Sequence, residues 1–398
     1  MTTTPLLLSE AHKLLPDAVD LRRDLHQYPE LGLDLPRTQG AVLDALDGLG
    51  LSVSTGAALS SVTAVLDSGR AGPTILLRGD MDALPMPEDT GLEYASKIDG
   101  VMHACGHDAH VAMLASAARL LRAHDSELRG RVVFMFQPGE EGHHGARFMI
   151  DEGLLDVGGK VDLAFAIHQT PVLPSNLVAT RGGTILASAD VFTLDIIGRG
   201  GHASMPHQAL DPIPIACEIV LAIQSMVTRK IDVFDPAVVT VGSVAAGTTN
   251  NVIPERARIV GTIRTVSAHN RTFVRQELER LARGIAAAHG ATAEFQLDAG
   301  FPVTINDDGV AIWARGVASD VGSGPVVEMP NPVMGAEDFS YVLEQVPGAM
   351  VFLGTCPEGV QLKDAAPNHS NRMIINESAM ATGIALYAAI ALSRSAVE

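Results

Sequence analysis

A chain of 398 residues with a formal net charge of −18 has room for two domains or three at roughly 100–200 residues each. It is too acidic to seek nucleic acid or an anionic membrane, and an anionic substrate would need a local positive site. Apolar residues make up 47% of the chain and aromatic ones 4%, a balance that suits close helix–sheet packing in an α/β protein. Cys105, Cys217 and Cys356 are odd in number and widely spaced, which argues against a disulfide framework. A lone Cys is by default a small buried hydrophobe, and that is the expectation for Cys217 and Cys356. The opening stretch MTTTPLLLSE lacks a basic region and carries only a short leucine run, so it does not read as a signal peptide. The apolar stretch from Ile384 to Leu392 is too short to span a bilayer. A cytoplasmic protein is the resulting expectation.

In chain order, periodicity predicts helices over 9–23 and 39–49, strands over 62–67 and 74–79, a helix over 108–124, and strands over 131–137 and 162–167. This alternation predicts a doubly wound, mostly parallel sheet. Residues 186–299 change character and read as strand 190–197, helix 211–229, strands 237–244 and 255–263, helix 268–289 and strand 292–297. That β-α-β-β-α-β order is the ferredoxin-like split motif. We therefore expect an α+β domain at 186–299, inserted into a first domain made of residues 1–185 and 300–398, with 349–354 as a further core strand.

Titratable residues collect where the predicted core strands end. Asp80 and Asp82 follow one strand, Glu140 and Glu141 follow another after a Pro-Gly turn, and His168 follows a third. His103, Cys105, His107 and Asp108 occupy a Gly-containing loop before a helix. Ligands of open α/β sheets bind outside the carboxyl ends of the strands. Cys, His and Glu together suit a borderline divalent ion such as zinc, manganese, cobalt or nickel. On extended backbone, neighbouring side chains point apart, so one Glu of the pair could bind metal while the other serves as a base. Singly, each of these residues has a bland reading: tandem Glu is common on solvated faces, and a strand-end His is often only a capped polar group.

The motifs resemble those of the aminoacylase/hippurate-hydrolase amidohydrolases, a branch of the dinuclear metallopeptidases that includes plant auxin-conjugate hydrolases. The resemblance lies in LRRDLHQYPELG (21–32), RGDMDALP (78–85), MHACGHDAH (102–110), FQPGEEG (136–142), AIH (166–168), GRGGHASMPH (198–207), NVIPE (251–255), GTIRT (261–265), GAEDFSYVLEQVPG (335–348) and NHS (368–370), in family order along nearly the whole chain. It implies two divalent metal ions held by Cys105, His107, Glu141, His168 and His369, with Cys105 bridging. It implies Glu140 as general base and Asp82 as the carboxylate that fixes a ligand or tunes that base. His202 matches a histidine of the inserted domain that reaches the reacting carbonyl, in many relatives from a partner subunit, which implies a homodimer through that domain. Asn251 and Arg264 match positions that contact the substrate carboxylate or oxyanion. Glu337 and Asp338 lie in a family hallmark without an assigned role.

Three places depart from the family pattern: His143-His144 replaces a glycine run, Leu35-Pro36 replaces an acidic residue, and Gln169-Thr170 follows His168. We expect His143-His144 in a surface loop and all three changes at the pocket rim. The implied reaction is hydrolysis of an N-acyl amino acid to a carboxylic acid and a free amino acid. Its alternatives are a dipeptidase or carboxypeptidase on the same scaffold and a metal-bound binding protein without turnover, against which the base Glu140 argues.

Overall fold

The structure, a computed structural model, describes residues 4–394. Residues 1–3 of the opening stretch and residues 395–398, the two ends assigned above to the first domain, lie outside the described residues. The chain forms two compact units. One comprises the chain up to Ile185, Ile305–Asn331 and the chain from Asp338; the other comprises Leu186–Thr304 and Pro332–Glu337. The second unit thus passes the boundary expected at 299 and takes in a separate short segment.

The first unit is built on an eight-stranded sheet in the order Ser52–Thr55, Val62–Asp67, Arg131–Gln137, Thr74–Asp80, Leu163–Thr170, Gly348–Gly354, Val178–Thr180, Val326–Glu328. The four middle strands pair in parallel. Antiparallel pairing is confined to the two sides, where Val62–Asp67 meets Ser52–Thr55 and Arg131–Gln137, and where Val178–Thr180 meets Gly348–Gly354. Parallel strands covered on both faces read as apolar runs rather than alternating ones, and Thr74–Asp80 and Gly348–Gly354 are buried from end to end. Three short strands were not expected: Ser52–Thr55, exposed throughout, Val178–Thr180 and Val326–Glu328. None is long enough to show a period. Helices Thr4–Gln27, His107–Ala123, Asp308–Val321 and Met380–Arg394 pack on one another. The apolar stretch 384–392 is the core of the last of these, and its Tyr387 hydroxyl donates to the Arg78 carbonyl at 2.6 Å.

The second unit has a four-stranded antiparallel sheet in the order Ala237–Ala246, Arg256–Thr265, Asp190–Ile197, Thr292–Ala299. Alternate residues of its strands, among them Phe192, Leu194, Ile196, Ile259 and Ile263, share a core with Ile215, Ile219, Ile223, Val274 and Leu278 of helices Pro212–Lys230 and Ala268–Ala288. Each helix starts on a capped residue: Asp211 accepts from the Ile213 N–H, and Ser267 from the Asn270 N–H. Pro212–Lys230 is long and apolar enough to cross a membrane by length and composition, yet its isoleucine stripe belongs to this core. Cys217 corrects an expectation. It lies on this helix and is exposed, whereas Cys356 is buried as expected.

Candidate metal centre

The middle strands of the first unit deliver the donors to one place. Potential ligand atoms of Cys105, His107 and His168 lie within 4.8 Å of one another, as do those of Cys105, Glu141 and His369, and those of His107, Glu140 and Glu141. The first two groups share Cys105. Its Sγ is 3.4 Å from His168 Nε2, and His369 Nε2 is 3.3 Å from Glu141 Oε1. His168 does not follow its strand, as expected, but lies inside it, because Leu163–Thr170 runs further than its apolar stretch.

Hydrogen bonds set which ring nitrogen of each histidine faces the cluster. His107 Nδ1–H donates to the Asp82 carbonyl at 2.8 Å, and His168 Nδ1–H to the Gln169 carbonyl at 2.7 Å. Both Nε2 atoms are thereby turned towards the cluster, His168 Nε2 onto Cys105 Sγ and His107 Nε2 to 3.4 Å from Asp80 Oδ2, the orientation metal-binding imidazoles adopt. His107 Nε2 and Glu141 Oε1 are buried without a well-formed hydrogen bond, their polar neighbours being Asp80 Oδ2 at 3.4 Å and His369 Nε2 at 3.3 Å, an arrangement that a cation improves. This donor set therefore fits divalent ions. Burial pushes the Cys105 thiol up, but the neighbouring His168 and His107 more than offset this and hold it well below its ordinary value, towards the thiolate that binds metal. Contacts with Cys105 and Glu141 push His369 up to about 10.

Glu140 and Glu141 are presented differently from expectation. They sit not on extended backbone but in a turn beyond Arg131–Gln137, where the Gly142 N–H closes onto the Glu140 carbonyl at 2.7 Å. The Asp82 carboxylate holds that turn, one oxygen accepting from each of the Glu140 and Glu141 amides at 2.9 Å. Asp82 thus acts on backbone at both ends, its own carbonyl orienting His107.

The loop before helix His107–Ala123 depends on Gly106, whose φ of +86° disfavours other residues and whose missing Cβ would stand 2.2 Å from Gln169 Nε2. Gln169 was expected at the pocket rim and is instead fully buried. Its side chain donates to the Cys105 carbonyl at 2.7 Å and accepts from the Thr355 hydroxyl at 2.7 Å. Leu35 is likewise a buried core residue rather than a rim residue. His143 is exposed, while His144, at φ +58°, bonds the Tyr341 hydroxyl through Nδ1 at 2.9 Å. Asn368 donates to the Cys105 carbonyl at 2.9 Å, and the His369 N–H donates to the Ala104 carbonyl at 2.8 Å. This contact holds His369 in the left-handed region, φ +66°, a cost met where surrounding contacts over-determine the conformation.

Two further networks back the cluster. Arg78, fully buried, donates to Asp80, Gln137 and Asp338, and Asp338 also accepts from Gln137 and the Ala146 amide. Asp338 is thus a structural anchor of the first unit, whereas Glu337 ends the second. Asp108 takes Arg22 at 3.0 Å and His26 at 2.7 Å, and Arg22 also reaches Glu377 at 2.7 Å. Burial keeps His103 down at about 4, so it is a neutral core residue and not a charged one.

The remaining residues singled out above lie in the second unit. His202 pairs with Val252 in a two-residue antiparallel ribbon, and the Ala203 N–H bonds the Asn251 carbonyl at 3.1 Å. His202 Nδ1 accepts from the Ser204 amide at 3.1 Å, so its exposed ring carries the hydrogen on Nε2. Arg264 is half-buried on strand Arg256–Thr265, opposite Val238, and burial lowers it from its ordinary value.

Known proteins are similar to this chain over most of its length. A thermostable carboxypeptidase of Saccharolobus solfataricus is 38% identical over 381 residues, 95% of each chain. An N-acetylcysteine deacetylase of Bacillus subtilis is 39% identical over 338 residues, 85% of this chain and 88% of its own. The crystal structure of the Bacillus subtilis YXEP protein, described as a dinuclear metal-binding peptidase, superposes with a TM-score of 0.83 at 33% identity and covers 96% of this chain and 98% of its own. Residues 76–393 match the model of peptidase family M20/M25/M40, and with the donors of two metal groups meeting on Cys105, the chain belongs to that family.

Proposed function

We propose that this chain is a two-metal amidohydrolase that cleaves R–CO–NH–CH(R′)–COO⁻ into a carboxylic acid and a free amino acid. The observation that carries this reading is the convergence of Cys105, His107, His168, Glu141 and His369 in two groups sharing one thiol, with the Glu140 carboxylate beside His107. The deacetylase relative acts on a substrate of this class, and the YXEP protein binds two metals. Cys105, His107 and His168 would hold one ion, and Cys105, Glu141 and His369 the other; zinc, manganese, cobalt and nickel all suit these donors. Two bound ions supply Lewis-acid charge and acidify water. Glu140 takes the water's proton and passes it to the leaving nitrogen, while Asp82 keeps the Glu140–Glu141 turn in place. His202 donates through Nε2 to the developing oxyanion, and Asn251 and Arg264 meet the substrate carboxylate or the oxyanion.

A carboxypeptidase acting on short peptides is the second reading, supported by the relative of that name. Hydrolysis of a panel by metal-loaded enzyme separates the two: hippurate, N-acetyl and long-chain acyl amino acids, indole-acetyl conjugates and dipeptides. The first reading expects higher kcat/KM on the N-acyl amino acids. Faster cleavage of dipeptides transfers the assignment to the second, and no cleavage of any member removes both.

The same reading makes the enzyme a homodimer through its second unit. Ala237–Ala246 is an edge strand exposed over its last residues, a surface that proteins pair or cover. Near it in sequence Phe234 is 94% exposed, and on the neighbouring helix Leu221 is 73% exposed. A two-fold pairing is the commonest way to bury such a surface, and in it His202 serves the partner's metals. Mixing inactive Glu140→Gln with inactive His202→Ala protein should restore activity; exchange of subunits without recovery rules out action in trans. Three cysteines without a disulfide agree with a reducing, cytoplasmic setting.

A further inference from the structure

His110 lies one turn after His107 on helix His107–Ala123 and is fully buried. Its Nε2 accepts the Gln169 N–H at 2.8 Å, so the ring hydrogen is on Nδ1 and is donated to Asp80 Oδ1 at 2.5 Å. Both bonds fall where the sheet opens. Strands Thr74–Asp80 and Leu163–Thr170 pair from Ile75–Leu163 to Arg78–Ala166 and no further, which leaves Asp80 and Gln169 beyond the ladder. The imidazole bridges them there. Asp80 presents its second oxygen to Arg78 at 2.5 Å and 3.4 Å from His107 Nε2, and Gln169 is bonded to the Cys105 carbonyl and to His168 Nδ1. The His110 ring centre is 4.8 Å from that of His168 and 5.5 Å from that of His107.

We propose that His110 is a positioning residue of the metal centre: one neutral imidazole joins the strand ends carrying Asp80 and His168 to the helix start carrying His107, and so sets the spacing of the Cys105–His107–His168 donors. The inference rests on the two-metal reading of that cluster. The other donor group shares Cys105 with this one, but its two remaining members are held by different bonds, Glu141 through Asp82 and His369 through the Ala104 carbonyl. Loss of His110 therefore disturbs all three donors of one ion but only the shared thiol of the other, and so acts more strongly on one ion, which a general loss of packing does not.

The test is titration of metal-free protein with zinc by equilibrium dialysis, with cobalt absorption as an independent view of each ion's surroundings. Wild type should bind two ions. His110→Ala should keep one near wild-type affinity and bind the other at least about 10-fold more weakly, the scale on which partners of metal ligands act. His110→Gln, whose amide oxygen can accept the Gln169 N–H, should recover part of that loss. Two sites within about twofold of wild type in His110→Ala, or two sites weakened equally, overturn the inference. Should His110→Ala not fold by circular dichroism, His110→Asn decides. Its amide donates to Asp80 but leaves the Gln169 N–H unpaired, so selective weakening relative to His110→Gln supports the inference, and equality of the two variants overturns it. Wild type that binds fewer than two ions overturns the two-metal reading itself, and this inference with it.

Discussion

The two units spend their buried polar groups in opposite ways. In the second unit they are saturated. Asp190, buried at the start of its strand, takes both Arg271 and Arg275 side on, at 2.5–3.0 Å, and the Gly300 amide as well. Asp195 takes Arg258 in the same two-pronged way. In the first unit, buried polar atoms are left without a hydrogen bond, and among the described residues all such side-chain atoms belong to that unit: Thr38, His103, His107, Asp108, Glu141 and Ser340. A buried donor or acceptor without a partner costs about 1–3 kcal/mol. Fully bonded polar groups thus build a scaffold, while loosely bonded ones at His107 and Glu141, whose nearest polar neighbours stand 3.3–3.4 Å away, lie where a ligand would fit. Asp108 and His103 lie within three residues of Cys105, so much of the cost falls close to the donors, Thr38 and Ser340 being the exceptions.

The sharpest way to break this contrast is Glu140→Gln. The amide keeps the size of the carboxylate and its backbone bond to Asp82 but accepts no proton. Turnover should fall by at least about 100-fold with metal content near wild type by elemental analysis; a variant keeping a tenth of the wild-type kcat would remove Glu140 as the base. Next comes Cys105→Ala, which takes the shared donor from both groups. Metal content and activity should fall together, and peroxide treatment of metal-free wild type should cost more activity, assayed after reloading with metal, than the same treatment of loaded enzyme, because a bound thiolate is shielded. Equal losses would mean that another residue is the target.

Asp190→Asn tests the saturated side. Removing one partner of a buried ion pair leaves the other charge uncompensated, at a cost of about 3–5 kcal/mol, so the second unit should melt earlier while zinc binding is retained. Burial raises the Asp190 carboxyl, but Arg271 and Arg275 more than offset this and hold it below its ordinary value. A depressed acid contributes stability above its unfolded value, about 3.9, and loses it as pH falls through the folded value. The gap between wild type and variant should therefore be full at pH 7 and close in strong acid; a gap independent of pH would assign the effect to packing. The smallest effect is expected from Cys217→Ala. This thiol is exposed on helix Pro212–Lys230, so metal content, melting and activity should all match wild type, and loss of metal would place a functional thiol in the wrong unit.

Much of the fold was legible because its signals are local. Strands 62–67 and 131–137 and the β-α-β-β-α-β order of the second unit follow from runs and periods inside single elements. Candidate donors could be listed for the same reason, since Cys105 and His107 fall in one short stretch and Glu140 and Glu141 in another, but the residues alone left each with a bland reading, and the choice of Cys105, His107, Glu141, His168 and His369 came from the family resemblance. The supports were not legible. Gln169 and Leu35 read as rim residues and are buried, Glu140 and Glu141 read as extended and sit in a turn, and Cys217 read as buried and faces solvent. His110 and Asn368 were part of recognised motifs yet carried no role until their partners were seen. By itself, then, the sequence determined which side chains were available and on which kind of element. The tertiary structure decided which carbonyl orients each imidazole, which carboxylate holds the glutamate turn and where the parallel ladder stops. Those contacts join residues tens to hundreds of positions apart, from Asp82 and Glu140 to Arg78 and Asp338, and no period within one element records them.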